Sequence, residues 1–491
     1  MQSDLLLAMA GLWGISFVAA LLESSGRVAR IGIVLGCAAG IAGCLSNLHR
    51  AMPVVSFGFR VSDIPVQFHL DAGGSWLLLF GLLTSLFAAV LGTTASAQPA
   101  RRYWLAGLSL TLLGTLGVFG LQDSVSFLIA WEVMSVGGAV MILGEGVSRS
   151  PGGPMLFMLA LLEVGAASLL LALLLLGSHA GSYAFASLAN PQALLSIRTL
   201  VIGLLLLFGF GAKLGVLPFY EWFPAAYGSG SGATGVIFSG IVLNAAFYSL
   251  ARAVLQWLPH AGVWTMGVAI IMIIAGVLSA ILSIFNAFQE EDWRRLLSLS
   301  SAENAGVAVA VLGVSLLFVA SGLPGPAALA WIVCLLHLAA HSLAKGTLFL
   351  TADGVYSVND SYLIRQTGLL RNSPILFGVG AFFATMSLAA LPPQSGFVSE
   401  WYVFQTLFHG MQVNGVAAKL TIALAAAGLA LVVAVALATF AKLFGIGMLG
   451  DGHTGPTHLS FGRCGSVKPR RRRLEQYPSH PRNTRRYLAC Q

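Results

Sequence analysis

Thirteen apolar stretches of about 20 residues follow one another along the first 450 residues of the chain. About 20 residues at 1.5 Å each cross the hydrocarbon core of a bilayer, so each stretch is long enough to form a spanning helix. Charged residues make up only 9% of the 491 residues, against about 25% in soluble domains. So few charges exclude a soluble enzyme, a disordered protein and a fibrous repeat. We therefore predict an all-α, polytopic bundle of about 13 transmembrane helices.

The chain divides into a membrane domain, 1–450, and a polar, basic tail, 451–491. The predicted spans are 5–22, 28–46, 75–94, 103–121, 124–144, 154–177, 198–218, 232–256, 264–286, 302–320, 326–350, 374–391 and 416–449, with a short apolar piece at 397–412. Alternating polar and apolar residues in 51–72 predict a hairpin on the membrane surface.

Most of the net charge of +8 lies in the tail, where nine Lys and Arg accompany two Asp and Glu. The run Arg470–Arg473 is typical of nucleic-acid binding, but on a membrane protein we expect a solvated cytoplasmic anchor and no nucleic-acid partner.

In the membrane domain, the loops on one side carry more Lys and Arg than those on the other. This bias predicts an outside N-terminus and a cytoplasmic C-terminus.

Proline interrupts two of the predicted helices, the seventh near Pro218 and the twelfth at Pro392 and Pro393. Proline removes a backbone donor and breaks the helical hydrogen-bond ladder. Lys213 precedes the first break and Glu400 follows the second. Paired broken helices in corresponding positions indicate two inverted repeats around a polar interior path.

Ionisable side chains occur in the middle of apolar helices at Glu132, Lys213 and Lys345. Each charge at the bilayer centre costs roughly 2.5–3.5 kcal/mol on insertion scales. A Glu132–Lys213 pair would lower that cost, since each charge stabilises the other. One isolated pair would fit a structural role in helix packing equally well. A series of such groups favours conduction of protons or ions.

His337, His341 and Lys345 are spaced four residues apart, which places them on one face of a helix. Histidine titrates near neutral pH and can both give and accept a proton, so this face has the composition of a proton relay. A metal site is the alternative, but no local carboxylate or cysteine completes it. The sequence also lacks a nucleotide or hydrolase motif.

The sequence also predicts roles for three further acidic residues. Glu400 could close the path toward one membrane face, and Glu163 is a further candidate carboxylate. Glu303 and Asn304 are predicted to cap the start of the tenth helix. The charged cluster 290–295 is predicted to be a solvated loop face.

Several ordered motifs together resemble the antiporter-like subunits of respiratory complex I, of multisubunit cation/proton antiporters and of energy-converting hydrogenases. The motifs are Trp131–Ser135, Gly211–Lys213 continuing to Pro224, the His337, His341, Lys345 series, and Gly396–Glu400. The segment Glu303–Gly306 resembles the hydrogenase-4 component B and formate hydrogenlyase branch.

The resemblance implies a proton-pumping module that holds no redox centre, metal or other cofactor and works beside hydrophilic redox subunits in a bacterial inner membrane. It implies that Glu132 and Lys213 are the coupling pair, that Lys345 with His337 and His341 is the central relay, and that Glu400 is the exit group. Asn244 stands where the family usually has Lys or His, and an amide cannot cycle a proton charge as lysine does.

Two other functions stay open from the sequence. A multisubunit sodium/proton antiporter is one, because carboxylates and backbone oxygens can also ligate sodium. A non-conducting scaffold for partner subunits is the other, because Asn244 could disable the path.

Overall fold

The computed structural model describes residues 2–450 except 24, 62, 93–97, 146, 149, 190–195 and 365–367. The predicted tail, 451–491, lies outside the described residues. Within them, twelve helices are long and apolar enough to cross a membrane. The predicted polytopic helical bundle is therefore confirmed as a fold class.

The helices are numbered here in chain order. They are α1 (Gln2–Leu22), α2 (Arg27–His49), α3 (Ala72–Leu91), α4 (Gln98–Gly120), α5 (Ser124–Glu145), α6 (Gly152–Ala180), α7 (Phe185–Leu188), α8 (Ile197–Leu214), α9 (Trp222–Tyr227), α10 (Gly232–Trp257), α11 (Val263–Gln289), α12 (Trp293–Ala320), α13 (Pro324–Asn359), α14 (Leu369–Asn372), α15 (Ile375–Leu388), α16 (Ser395–Phe408) and α17 (Val416–Gly447).

The predicted hairpin is also confirmed. Strands β1 (Val55–Val61) and β2 (Ile64–Phe68) pair antiparallel, with Val55 opposite Phe68 and Val61 opposite Ile64. The hairpin joins the helical body where the His69 amide donates to the Gly120 carbonyl at the end of α4, at 2.8 Å.

Burial differs strongly between the helices. The most apolar window of α10 is completely buried and that of α12 is 94% buried, whereas those of α1 and α17 are 28% buried. A helix buried on every side lies in the core, while one that is apolar but exposed faces lipid. α10 is thus the central helix, and it contains two π-helical segments, Phe238–Val242 and Ala253–Trp257.

The first predicted break follows α8, which ends at Leu214. Gly215 adopts a left-handed conformation with φ of +69°, which glycine accepts without steric cost. The chain then passes through a non-helical turn, and the Trp222 indole N–H at the start of α9 donates back to the Ala212 carbonyl at 2.8 Å. This bond satisfies one of the carbonyls that the end of α8 leaves free.

The second break divides the predicted twelfth span. The predicted helix 374–391 is shorter than expected, a 14-residue helix α15, and the apolar piece 397–412 supplies α16. Between them, the Leu391 amide donates to the Met386 carbonyl at 3.0 Å and the Gly396 amide to Ser387 Oγ at 3.1 Å. Backbone donors on both sides of the break are therefore paired within the protein, while Pro392, Pro393 and Ser395 are exposed.

The prediction that Glu303 and Asn304 cap a helix is wrong. α12 begins ten residues earlier, at Trp293, and its cap is Asp292, whose side chain accepts from the Arg294 and Arg295 amides. The prediction of a solvated face at 290–295 is wrong for Arg294, which is buried and donates to the Gly230 carbonyl at 2.6 Å. Both errors have the same cause. The sequence interpretation places all of residues 290–295 in a loop, whereas Trp293, Arg294 and Arg295 form the first turn of α12.

Close packing of α11 on α12 yields a stability prediction. A Cβ on Gly276 would lie 2.5 Å from the Gly306 carbonyl oxygen and 2.6 Å from the Ala310 amide nitrogen. We expect Gly276→Ala to destabilise the protein by roughly 1–3 kcal/mol, because backbone cannot move aside as a side chain can. Gly14→Ala is the matched control, since its Cβ would meet no atom within 4 Å. Heat-induced loss of the monodisperse protein in detergent measures both, and equal midpoints would contradict the packing argument.

Candidate functional site

Eight ionisable side chains of the membrane domain, most of them buried, form two clusters. The Lys213 cluster comprises Lys213 on α8, Glu132 on α5 and Glu163 on α6. The Lys345 cluster comprises Lys345, His337 and His341 on α13, Glu303 on α12 and Glu400 on α16.

Lys213 is the penultimate residue of α8, so it lies directly before the break, and its side chain is only 2% exposed. Its ammonium group donates to Ser135 Oγ at 2.6 Å and to the Trp131 carbonyl at 3.2 Å. It also lies 4.1 Å from the centre of the Trp131 ring, within the range of a cation–π interaction. α5 therefore contacts the Lys213 ammonium group through a hydroxyl group, a backbone carbonyl and an aromatic ring.

Glu132 and Glu163 are the neighbouring charges that interact electrostatically with Lys213, and the two carboxyl groups also interact with each other. Glu132 is half-buried and Glu163 is exposed on the outer side of the bundle. A surface groove of about 460 Å³ reaches Glu132 between the apolar side chains of α4 and α5. The predicted Glu132–Lys213 association and the candidate Glu163 thus fall in one cluster.

Lys345 is fully buried and its ammonium group donates to the Leu297 carbonyl of α12 at 2.8 Å. Its charged neighbour is Glu303, which accepts hydrogen bonds from Ser300 Oγ at 3.1 Å and from the Asn304 amide group at 2.5 Å. Glu303 also interacts electrostatically with Glu400. Glu303 therefore lies between the predicted central lysine and the predicted exit group, a position that its assignment as a cap concealed.

The histidine face of α13 points into the same region. His337 Nδ1 and Ser399 Oγ of α16 are hydrogen-bonded at 3.2 Å, so the second broken helix contacts the histidine face of α13 directly. His341 is 1% exposed, and both of its ring nitrogens are buried without a hydrogen-bond partner. Buried polar groups are almost always paired with protein or water, so these nitrogens mark a place where a water or a proton can be held.

Asn244 lies in the middle of α10 and contacts this region from the other side. Its side-chain amide donates to Ser342 Oγ on α13 and to the Leu77 carbonyl on α3, both at 3.0 Å. Its Oδ1 is buried without a hydrogen-bond partner, as is Oε2 of Glu400. The candidate residue Asn244 therefore neighbours the histidine face of α13, because it contacts Ser342, the residue that follows His341.

Among the described residues, no group of three His, Cys, Asp or Glu side chains has the arrangement of a metal site. What the two clusters contain is ammonium, carboxyl, imidazole and hydroxyl groups, which can all exchange or pass protons. The fold and the two clusters together define a polytopic membrane protein with titratable groups held inside its bundle.

Comparison with known proteins identifies the family. Residues 122–446 match the family model described as NADH:quinone oxidoreductase/Mrp antiporter, TM. The chain therefore belongs to this transmembrane family, as the sequence motifs predicted.

Two curated relatives come from Escherichia coli. Hydrogenase-4 component B is 26% identical over 434 residues, which cover 86% of this chain and 63% of the relative. Formate hydrogenlyase subunit 3 is 27% identical over 423 residues, covering 86% and 65%. The chain thus spans less than two thirds of the length of these relatives.

Two solved structures share the fold. A chain of the Mrp complex from Dietzia sp. has a TM-score of 0.78 at 20% identity and covers 92% of this chain and 81% of its own length. A chain of respiratory complex I from Thermus thermophilus has a TM-score of 0.75 at 20% identity, with 93% and 91% covered.

The hydrogen bond between Ser135 and Lys213 yields a prediction. We expect Ser135→Ala to destabilise the protein by about 0.6 kcal/mol and by no more than about 1.7 kcal/mol, the average and the largest value measured for interhelical hydrogen bonds in a membrane protein, because the buried ammonium group loses an acceptor. Thermal unfolding of the purified protein measures the change.

The matched control is Ser168→Ala on α6, whose exposed hydroxyl donates only within its own helix, to the Val164 carbonyl. If both variants unfold at the same temperature, Ser135 does not stabilise the position of Lys213.

Proposed function

We propose that this chain is a proton-translocating membrane subunit of a bacterial redox complex, hydrogenase-like or NADH:quinone oxidoreductase-like, in the inner membrane. The observation that carries the proposal is the burial of two lysines, Lys213 beside Glu132 and Glu163 and Lys345 beside Glu303, each carboxyl group lying on a different helix from its lysine. Membership of the family and the two hydrogenase-type relatives support the assignment to a multisubunit complex.

The Lys213 cluster serves as the coupling site. Lys213 interacts electrostatically with both Glu132 and Glu163, so a shift of its ammonium group toward one carboxyl group weakens its interaction with the other. A buried charge that loses its partner gives up or takes up a proton, because the charged form is then too costly. Movement of a neighbouring subunit during redox chemistry would act on this cluster.

The Lys345 cluster serves as the central relay and exit. A proton leaving Lys345 meets Glu303 as its first acceptor and Glu400 as the next, since Glu303 interacts with both. His337 and His341, on the same face of α13, supply imidazole groups that can both accept and donate. Water bound to the unpaired nitrogens of His341 would complete the hydrogen-bonded path.

Asn244 does not carry the proton charge in this mechanism. Its unpaired Oδ1 can accept a hydrogen bond from water and so hold a bridging molecule beside α13. The electron-transferring groups would belong to hydrophilic partner subunits, and this chain would need no cofactor of its own.

Substitution of the two lysines tests the function. We expect Lys213→Met, and separately Lys345→Met, to lower proton uptake into vesicles containing the assembled complex by on the order of 100-fold, because the proton-carrying group is lost. Electron transfer by the partner subunits, followed in the same vesicles, reports whether the complex is assembled. Glu132→Gln is expected to reduce proton uptake in the same direction.

The matched control is Lys419→Met, the same substitution near the start of α17 and outside both clusters. Unchanged pumping in both the Lys213 and Lys345 variants would refute the proposal and favour a scaffold. Proton flux that needs sodium and continues without electron transfer would favour the sodium/proton antiporter instead.

The proposed orientation has its own test. With the N-terminus outside, Arg60→Cys on the hairpin is expected to react with a membrane-impermeant thiol reagent in intact cells, and Glu291→Cys only after the cells are opened. The parent protein for this test lacks Cys464 and Cys490 of the tail. The opposite labelling pattern would invert the proposed topology.

A further inference from the structure

Two buried carboxylates outside both clusters hold the beginning of the central helix. Glu145 is the last residue of α5, and Asp353 lies near the end of α13. Both are buried, at 3% and 8% exposure. Neither takes part in the proposed proton path, although each belongs to a helix that carries a cluster residue.

Glu145 binds the turn before α10 from one side. It accepts from the Ser231 amide at 2.6 Å and from the Thr234 hydroxyl at 2.7 Å, and it also accepts from the Ser231 hydroxyl. The Thr234 hydroxyl in turn accepts from the Trp104 indole N–H at 2.8 Å. Negative charge at a helix N-terminus is favourable, because the free amides and the helix dipole are positive there.

Asp353 binds the same turn from the other side. Its two oxygens accept from the Gly232 amide at 2.6 Å and the Ala233 amide at 2.9 Å. A Cβ at Gly232 would lie 2.8 Å from Asp353 Oδ1, so glycine is what permits this close approach. Three successive backbone amides, from Ser231 to Ala233, are thus bound by carboxylates of two different helices.

Further charged and polar groups complete the arrangement. The Tyr362 hydroxyl donates to Asp353 at 2.8 Å, and burial raises the pKa of Tyr362, so this hydroxyl remains a donor. Arg294 lies 3.7 Å from the centre of the Tyr362 ring, pairs with Asp292 at 2.9 Å and donates to the Gly230 carbonyl. The start of α12 therefore also binds the turn that precedes α10.

From these contacts we infer that Glu145 and Asp353 are positioning residues, which clamp the start of α10 between α5 and α13 and thereby couple the Lys213 cluster to the Lys345 cluster. The inference rests on the proposed function. α5 carries Glu132 and Ser135, α13 carries Lys345, and the clamped helix carries Asn244, which bonds Ser342 of α13.

The interior of α10 supports transmission along this helix. A π-helical segment, Phe238–Val242, lies between the clamp and Asn244. Such segments are frequent at functional sites, where a change of hydrogen-bond register lets part of a helix shift. A displacement of α5 or α13 that acts on Glu145 or Asp353 would therefore reach Asn244 as a shift or rotation of α10.

The experiment measures coupling separately from assembly. In vesicles with the assembled complex, we expect Glu145→Gln and Asp353→Asn each to lower the number of protons moved per electron pair by roughly fivefold or more, a change typical of coupling energies. Electron transfer and the amount of assembled complex should stay at the level of the parent. Hydrogen exchange should become faster at the Ser231 amide in the Glu145 variant and at the Gly232 and Ala233 amides in the Asp353 variant, since these amides lose a charged acceptor.

The matched controls are Glu291→Gln and Asp360→Asn, the same substitutions at exposed positions in the same part of the molecule. Tyr362→Phe removes one hydrogen bond to Asp353 without removing its charge, and it should give an intermediate loss. It also serves as the test variant if the carboxylate variants fail to assemble.

Three results separate the possible readings. If Lys213→Met abolishes pumping but the clamp variants leave the proton-to-electron ratio unchanged, the inference fails and the proposed function stands. If proton pumping falls only in proportion to the amount of assembled complex in Glu145→Gln, Asp353→Asn and Tyr362→Phe, the clamp is purely structural and the inference is overturned. If Lys213→Met leaves pumping intact, the proposed function fails, and the inference fails with it.

Discussion

The cost of holding an ammonium group inside an apolar bundle determines the arrangement of both clusters. Lys213 and Lys345 are buried in helices whose other residues are mostly apolar. Without compensation each charge would cost several kcal/mol. Lys213 is therefore met by the Trp131 carbonyl of α5 and by carboxyl groups on α5 and α6, whereas Lys345 is met by the Leu297 carbonyl and by Glu303, both on α12. For Lys213, partners on two separate helices can be exchanged when one helix moves, which a single fixed ion pair does not permit.

The two broken helices serve this requirement in different ways. Ending α8 at Leu214 leaves Lys213 at a helix terminus, where its positive charge also interacts favourably with the negative end of the helix dipole. The second break begins α16 at Ser395, beside the His337 ring that Ser399 contacts. The Gly396 amide at this break is paired with Ser387 Oγ, and Ser399, one helical turn further on, brings a hydroxyl group next to the His337 ring.

The sequence was sufficient to predict features that one helix contains by itself. Apolar length predicted a bundle of spanning helices, although the tenth starts earlier and the twelfth is shorter than predicted. Proline predicted the breaks, and a four-residue spacing predicted the common face of His337, His341 and Lys345, because each depends only on local order. The position of Glu303 was missed since the apolar run begins after it, whereas α12 starts at its cap Asp292. A carboxylate ten residues into that helix could have been recognised if the charged residues 290–295 had been interpreted as a helix start.

Glu145 and Asp353 were missed for a different physical reason. Each lies beyond the end of its predicted span, 124–144 or 326–350. An acidic residue at such a position is ordinarily exposed to solvent. Their burial depends on a third segment, the turn Gly230–Thr234, which folds between them and contributes the amides they bind. Contacts among three segments separated by about 90 to 120 residues leave no periodic signal in the sequence.

The central helix α10 explains how the proposed proton path can be divided between two clusters. In the described part of the chain, the charged partners of Lys213 are Glu132 and Glu163, while the charged partner of Lys345 is Glu303. Neither lysine therefore needs the other for its charge to be compensated. Coupling between them then requires either bridging water or a shared mechanical element. α10 is such an element, because it is buried along nearly its whole length, is clamped at one end from both sides and contacts α13 next to His341 halfway along its length.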